Sequence, residues 1–173
     1  ELLYAATLTD NNDEKLRIYK NHINVYPDDY RGYVNAASIE IEQGDLVAAK
    51  GHLETAQSLE PNSGEAFNNM GIIYAMEGDF DKAEENFNTA RDLGEDENYN
   101  LGIVNIYKGD YDRAIALFGD ATCDYNVALA YILKKDYPPA EQQLNCAPKN
   151  AWSYYLSAIL GSRTDNTAVM YEN

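Results

Sequence analysis

In the stretch AFNNMGIIYAM, residues 66–76, the apolar side chains Phe67, Met70, Ile73 and Tyr74 recur at three- and four-residue intervals. That interval places them on one face of an α-helix. The pair Gly78-Asp79 interrupts the pattern. Glycine accepts the left-handed backbone that ends a helix, and aspartate accepts hydrogen bonds from the free N–H groups that open the next. DFDKAEENF then resumes the helical interval, with acidic residues in its first turn, where the helix dipole favours them. The local expectation is two helices joined by a tight turn.

The same phrase returns along the chain. Asn69 is followed by Gly71, Tyr74, Gly78-Asp79-Phe80, Ala83, Phe87 and Ala90, and Asn100 by Gly102, Gly109-Asp110-Tyr111, Ala114, Phe118 and Ala121. Asn35 leads to Ala37, Gly44-Asp45-Leu46, Ala49, Leu53, Ala56 and Pro61. Asn126 leads to Ala128, Tyr131, Asp136-Tyr137, Ala140, Leu144 and Ala147. Each Asn stands 14 residues before its Ala, while successive Asn positions are 34, 31 and 26 apart. The first helix and turn are therefore expected to be constant, and the second helix or its exit loop to be trimmed. Gly71 and Gly102 each cost about 1 kcal/mol inside a helix, which points to another helix passing close by. The small alanines 83, 90, 114 and 121 point the same way.

This pattern resembles the tetratricopeptide repeat, a 34-residue helix–turn–helix unit. The unit from about Gly64 carries the family's positions in Phe67, Met70, Gly71, Tyr74, Ala83, Phe87 and Ala90. The unit from Tyr30 carries them in Tyr33, Ala37, Ala49, Leu53, Ala56 and Pro61. The resemblance implies an all-α, right-handed α-solenoid of antiparallel helix pairs, about five units with the third and fourth shortened. As a single solenoid over 1–173, its units fall at about 1–29 (degenerate), 30–63, 64–94, 95–120, 121–150 and 151–173 (incomplete). ELLYAATL and DEKLRIYKNHINVYP form the first pair. KNAWSYYLSAILG opens the last, and NTAVMYEN begins a helix that stops short. An array ending inside a unit leaves an apolar edge near Trp152 to Tyr171, suited to a longer array or to association.

The resemblance also implies a use. In this family the first helices line a concave groove, and the Asn two residues before the Gly or Ala bonds a bound peptide's backbone. By position, these are Asn35, Asn69, Asn100 and Asn126. An amide both donates and accepts, so it can read an extended backbone, or equally bridge neighbouring units. Members that clamp a carboxylate carry Lys and Arg beside this Asn. Here those positions hold Val34, Asn68, Tyr99 and Tyr125, then Ser38, Ile72, Ile103 and Leu129. The groove is instead expected to be apolar and tyrosine-rich, with Tyr99, Ile103, Tyr107, Tyr125, Leu129 and Tyr155 as groove or inter-unit core. Tyrosine offers area with a polar tip, as interface anchors do. The implied function is a non-enzymatic scaffold that binds a partner peptide. The alternatives are a spacer or assembly module of a larger protein, and a small-molecule or glycan site among the tyrosines. The phrases DENYNLGIVNIYKGDYDRAIALF and AWSYYLSAILGSRTDN are similar to repeat regions of bacterial cell-envelope proteins. That similarity favours a periplasmic or outer-membrane-associated setting, with a cytoplasmic one still open.

Charge narrows the partners. Thirteen Lys and Arg against 29 Asp and Glu give a net charge of −16. Such a chain repels phosphate backbones, so nucleic acid is not expected, and protein partners of basic or apolar character, or a second copy, are. No apolar run reaches the roughly 18 residues of a membrane helix, so direct insertion is not expected. Candidate chemistry is sparse. There is no Gly-rich phosphate loop and no nucleophile elbow, and His22 and His52 stand alone. DNNDE, residues 10–14, is not completed by the Gly and Glu that a calcium loop needs further on, and reads as a turn and cap. No catalytic residue, metal or cofactor is expected. Cys123 and Cys146 read as small core residues, or as a bridge if the compartment is oxidising.

Overall fold

The computed structural model describes residues 2–119 and 122–163. The segment NTAVMYEN, Tyr171 within it, and Ala121 lie outside the described residues. The described chain forms eleven α-helices and no strand. It divides into two compact units, Glu1–Glu97 and Asn98–Asn173. The first holds α1 (Leu2–Ala6), α2 (Asn12–Val25), α3 (Tyr30–Gln43), α4 (Leu46–Leu59), α5 (Gly64–Glu77) and α6 (Phe80–Asp92). The second holds α7 (Asn98–Lys108), α8 (Tyr111–Phe118), α9 (Tyr125–Lys134), α10 (Tyr137–Cys146) and α11 (Ala151–Arg163). Within each unit the helices pack as successive hairpins, the all-α solenoid arrangement.

After the α1–α2 pair come four hairpins, α3–α4, α5–α6, α7–α8 and α9–α10, and the turns of the first three of these are built by the same chemistry. Gly44, Gly78 and Gly109 take φ of 81°, 80° and 82°, the left-handed region glycine enters without a steric penalty. The next N–H reaches back over the helix end: Asp45 to the Glu40 carbonyl at 2.8 Å, Asp79 to Tyr74 at 2.9 Å, Asp110 to Asn105 at 2.9 Å. Each of these aspartates then caps the following helix, accepting from Ala48, Lys82 and Arg113 N–H at 3.1, 3.2 and 3.2 Å. The fourth hairpin closes the same loop, with Asp136 N–H on the Tyr131 carbonyl at 2.9 Å, but its left-handed residue is Lys135 at φ 68°.

Across each of these four hairpins one small residue faces one large residue, sixteen positions later in the chain. A Cβ on Gly71 would stand 2.7 Å from the Phe87 ring, and one on Gly102 would stand 2.6 Å from the Phe118 ring. The approaching helix foreseen from these glycines is therefore the second helix of the same hairpin. At the matching positions, Ala37 faces Leu53 and Ala128 faces Leu144, each pair in a common core cluster. Gly goes with Phe and Ala with Leu, so the summed volume is held nearly constant, as close packing requires. The same exchange appears one layer away, where His22, buried on α2, leaves 2.8 Å for a Cβ on Gly32 of α3.

Two expectations need correction. The first helix is not constant. α3 and α5 have 14 residues each, but α7 has 11 and α9 has 10. Asn35 and Asn69 are the sixth residues of their helices, Asn100 the third and Asn126 the second. The shortening removes the N-terminal turn of the first helix. It also shortens the second, since α8 has 8 residues against 14 in α4. What stays constant is the stretch from each Asn to the large residue 18 positions on, Leu53, Phe87, Phe118 and Leu144, because the hairpin turn and its packing pair lie inside it. The second correction concerns the cysteines. Cys123 and Cys146 form a disulfide, with Cys146 exposed and Cys123 half-buried, so neither is a core residue.

Two outcomes follow for stability in urea unfolding. Gly71→Ala pushes a methyl into the Phe87 ring and should cost about 1–3 kcal/mol, and Phe87→Leu alone should cost about 1 kcal/mol through the space it leaves. The double variant reproduces the Ala37–Leu53 pair and should recover at least about 1 kcal/mol relative to the sum of the two; simple additivity would refute the volume pairing. Lys135→Gly should stabilise the chain by roughly 0.5–1 kcal/mol, relief of left-handed strain outweighing the added freedom of the unfolded chain.

Candidate functional site

In the unit Asn98–Asn173 the candidate residues sit on α7, α9 and α11, the first helices of their hairpins. At its centre is a hydrogen-bond chain that begins in the loop before α9. Asp124 caps α9, its Oδ1 accepting from Asn126 N–H at 2.7 Å and Val127 N–H at 3.2 Å. Its second oxygen, Oδ2, accepts from the Tyr99 hydroxyl of α7 at 2.8 Å. That hydroxyl in turn accepts from Asn126 Nδ2 at 2.8 Å, so both its capacities are used. Partial burial raises the Tyr99 phenol above its ordinary range; the Asp124 carboxylate adds to this and the Asn126 bond opposes it. The phenol stays protonated at neutral pH and keeps donating. The Tyr99 ring meets Phe118 edge-on at 5.4 Å.

Apolar candidates flank this chain in two ways. Ile103 and Leu129 are half-buried against Ile106, Phe118 and Val127. Tyr125 and Leu129 also pack on the cluster holding Ile132, Leu144 and Leu156. These three side chains belong partly to the core and partly to the surface. Tyr107 and Tyr155 are exposed, at 67 % and 55 %. Tyr155 stacks on Trp152 with ring centres 5.4 Å apart, and Tyr154 is exposed beside them, so α11 presents an aromatic patch. Asn100 is half-buried on α7. In the unit Glu1–Glu97, Asn35 on α3 and Asn69 on α5 are half-buried, and neither side chain has a hydrogen-bond partner among the described residues.

Asp124 was not among the residues singled out by sequence. Its only sequence signal is an acid one residue before a helix, which predicts a cap and not a partner for Tyr99. The disulfide anchors the same loop. Cys123 precedes Asp124, and Asp124 N–H donates to Gln143 Oε1 of α10 at 3.2 Å, three residues before Cys146.

The described residues contain no cluster of His, Cys, Asp and Glu that could hold a metal ion, and no helix long and apolar enough to cross a membrane. No protein-family model matches the chain, and no curated protein matches it in sequence. Solved structures do match its fold. PilW, a widely conserved type IV pilus biogenesis factor, superposes with a TM-score of 0.87 at 15 % identity, over 99 % of this chain and 88 % of that one. PilF of Pseudomonas aeruginosa gives 0.75 at 15 % identity, over 92 % and 79 %. YrrB, described as a tetratricopeptide repeat protein with an unusual peptide-binding site, gives 0.69 at 18 % identity, over 89 % and 87 %. The chain has the tetratricopeptide repeat fold.

Reduction tests the anchoring of the Asp124 loop. The bridge spans a sequence separation of 23, and its loss should cost about 3 kcal/mol. Thermal melts with and without a thiol reductant should differ, and a Cys123→Ser/Cys146→Ser variant should melt with the reduced chain. Equal melts would show that the bridge contributes nothing.

Proposed function

We propose that the chain is a non-enzymatic scaffold that binds an extended or helical segment of a partner protein on the face of its first helices. The observation that carries this reading is a Tyr99–Asn126–Asp124 hydrogen-bond chain on the same set of first helices as the exposed Tyr107 and Tyr155. Tyr99, Tyr107, Tyr125 and Tyr155 act as anchors, with Ile103 and Leu129 as the apolar floor between them. Asn100 and Asn126 bond the segment's backbone, and Asn35 and Asn69 do the same in the unit Glu1–Glu97. Binding there follows from the general rule that amides read backbone and aromatic rings supply contact area. The partner is a protein of basic or apolar character, since a net charge of −16 disfavours acidic partners and nucleic acid.

The setting is the cell envelope, periplasmic or outer-membrane-associated. A disulfide between a half-buried and an exposed cysteine suits an oxidising compartment. Likeness to PilW, a type IV pilus biogenesis factor, agrees with it. A second reading, an assembly module that associates through α11, is favoured by the exposed Trp152, Tyr154 and Tyr155.

A photo-crosslinking residue at Tyr107 tests the first reading, with a control at Lys82 of α6. Tyr107 is preferred to Tyr99 because replacing Tyr99 would break the bonds to Asp124 and Asn126. A discrete partner should be captured from position 107 and not from 82, and Asn100→Ala/Asn126→Ala should reduce capture about tenfold or more. Capture that survives the double Asn change, or capture of the chain itself alone, would move the assignment to the assembly module.

A further inference from the structure

A second surface, within the unit Glu1–Glu97, does not rest on the reading above. Five residues after each recurring Asn, the four hairpins carry Glu40, Tyr74, Asn105 and Tyr131. Glu40 is the charged exception, and its side chain is 1 % exposed. A buried carboxylate is costly unless paired, so its partners are informative. His52 Nδ1 of α4 lies 2.7 Å from Oε2. Lys20 Nζ of α2 lies 3.0 Å from Oε1, yet Oε1 accepts no hydrogen bond among the described residues. The Lys20 side chain is half exposed, so it pairs from the solvent side. Glu40 therefore holds one well-bonded oxygen and one that is only neutralised.

This carboxylate forms the floor of an open cleft of about 550 Å³ between α2 and α4, walled by Ile23 and Val47. Gly51 lines the same cleft in the middle of α4. Gly32, Gly64, Gly71 and Gly102, also helical, have an evident packing reason, since a Cβ would meet a neighbouring side chain at 2.8 Å for Gly32, 2.7 Å for Gly64 and Gly71, and 2.6 Å for Gly102. A Cβ on Gly51 would meet nothing within 4 Å. The fold gives no reason for this helix-weakening residue, and close approach of a ligand to backbone does.

We infer that this cleft receives a basic side chain of a partner protein, its aliphatic stem crossing Gly51 between Ile23 and Val47 and its cationic head on Glu40 Oε1. An arginine or lysine head takes the place of Lys20 on Oε1, while His52 keeps Oε2. The incoming cation displaces Lys20 toward solvent, which its exposure allows. Apolar walls suit a long aliphatic stem, because such side chains bury their methylenes and keep their charge on a polar partner. An anionic ligand is disfavoured, because it would face the Glu40 carboxylate in a chain of net charge −16.

The test is a titration of the ¹⁵N-labelled 173-residue chain with the peptide acetyl-Ala-Arg-Ala-amide, followed at the Gly51 amide and the His52 ring. Saturable shifts at both positions are expected in the millimolar range, with the neutral citrulline peptide about tenfold weaker and the glutamate peptide silent. Glu40→Gln, which keeps size and a hydrogen bond, should weaken arginine-peptide binding about tenfold or more while leaving the spectrum of α5 and α6 unchanged. Gly51→Ala should raise Tm by about 2–4 °C yet weaken binding about threefold or more, because its methyl occupies the space above the helix. Equal binding of the arginine and citrulline peptides, the absence of saturable shifts at Gly51 and His52, or Gly51→Ala binding that matches the parent would each overturn the assignment. None of these outcomes depends on whether Tyr107 captures a partner.

Discussion

The fold depends on one packing contact repeated in the four hairpins from α3 to α10, the meeting of a small residue on the first helix with a large one on the second. Two helices joined by a two-residue turn can approach only as closely as that contact allows. Gly71 under Phe87 and Gly102 under Phe118 solve it with an aromatic ring against bare backbone. Ala37 with Leu53 and Ala128 with Leu144 solve it with a methyl against a branched aliphatic chain. Because the partners lie sixteen positions apart with the turn between them, no insertion or deletion is tolerated inside that interval. Length variation is pushed outside it, to the N-terminal turn of the first helix and to the end of the second.

The loss of that first turn bears on the face proposed for binding. In α3 and α5 five helical residues precede the recurring Asn, whereas in α9 only Tyr125 does. The loop and its cap are thereby brought beside Asn126. Asp124 can then serve two roles, closing the N-terminus of α9 and accepting from the Tyr99 hydroxyl. The disulfide secures the residue immediately before it. Shortening the helix, capping it and fixing the tyrosine are thus linked through one aspartate.

The turns show how far local chemistry can be read directly. Gly44-Asp45, Gly78-Asp79 and Gly109-Asp110 each encode a left-handed helix end followed by a cap, and the structure builds all three in that way. At Lys135-Asp136 the glycine is missing but the turn survives, because the surrounding hairpin imposes it. There the Asp136 side chain makes no cap hydrogen bond. The candidate face was legible in part. Tyr99 and Asn126 were both visible as recurring positions, but their bond to each other runs across 27 positions of sequence. No local pattern encodes such a contact.

By itself the sequence determined the helices, their turns and their pairing into a tetratricopeptide-type array. All of these follow from interactions within about twenty residues, where periodicity, capping and small–large spacing are decisive. The tertiary structure alone decided which polar groups meet. It joined Cys123 to Cys146, set Asp124 on Tyr99, and buried Glu40 between Lys20 and His52 under an open cleft. Each of these pairings depends on how separate helices stack, and stacking is set by the summed shapes of many side chains and not by any one motif.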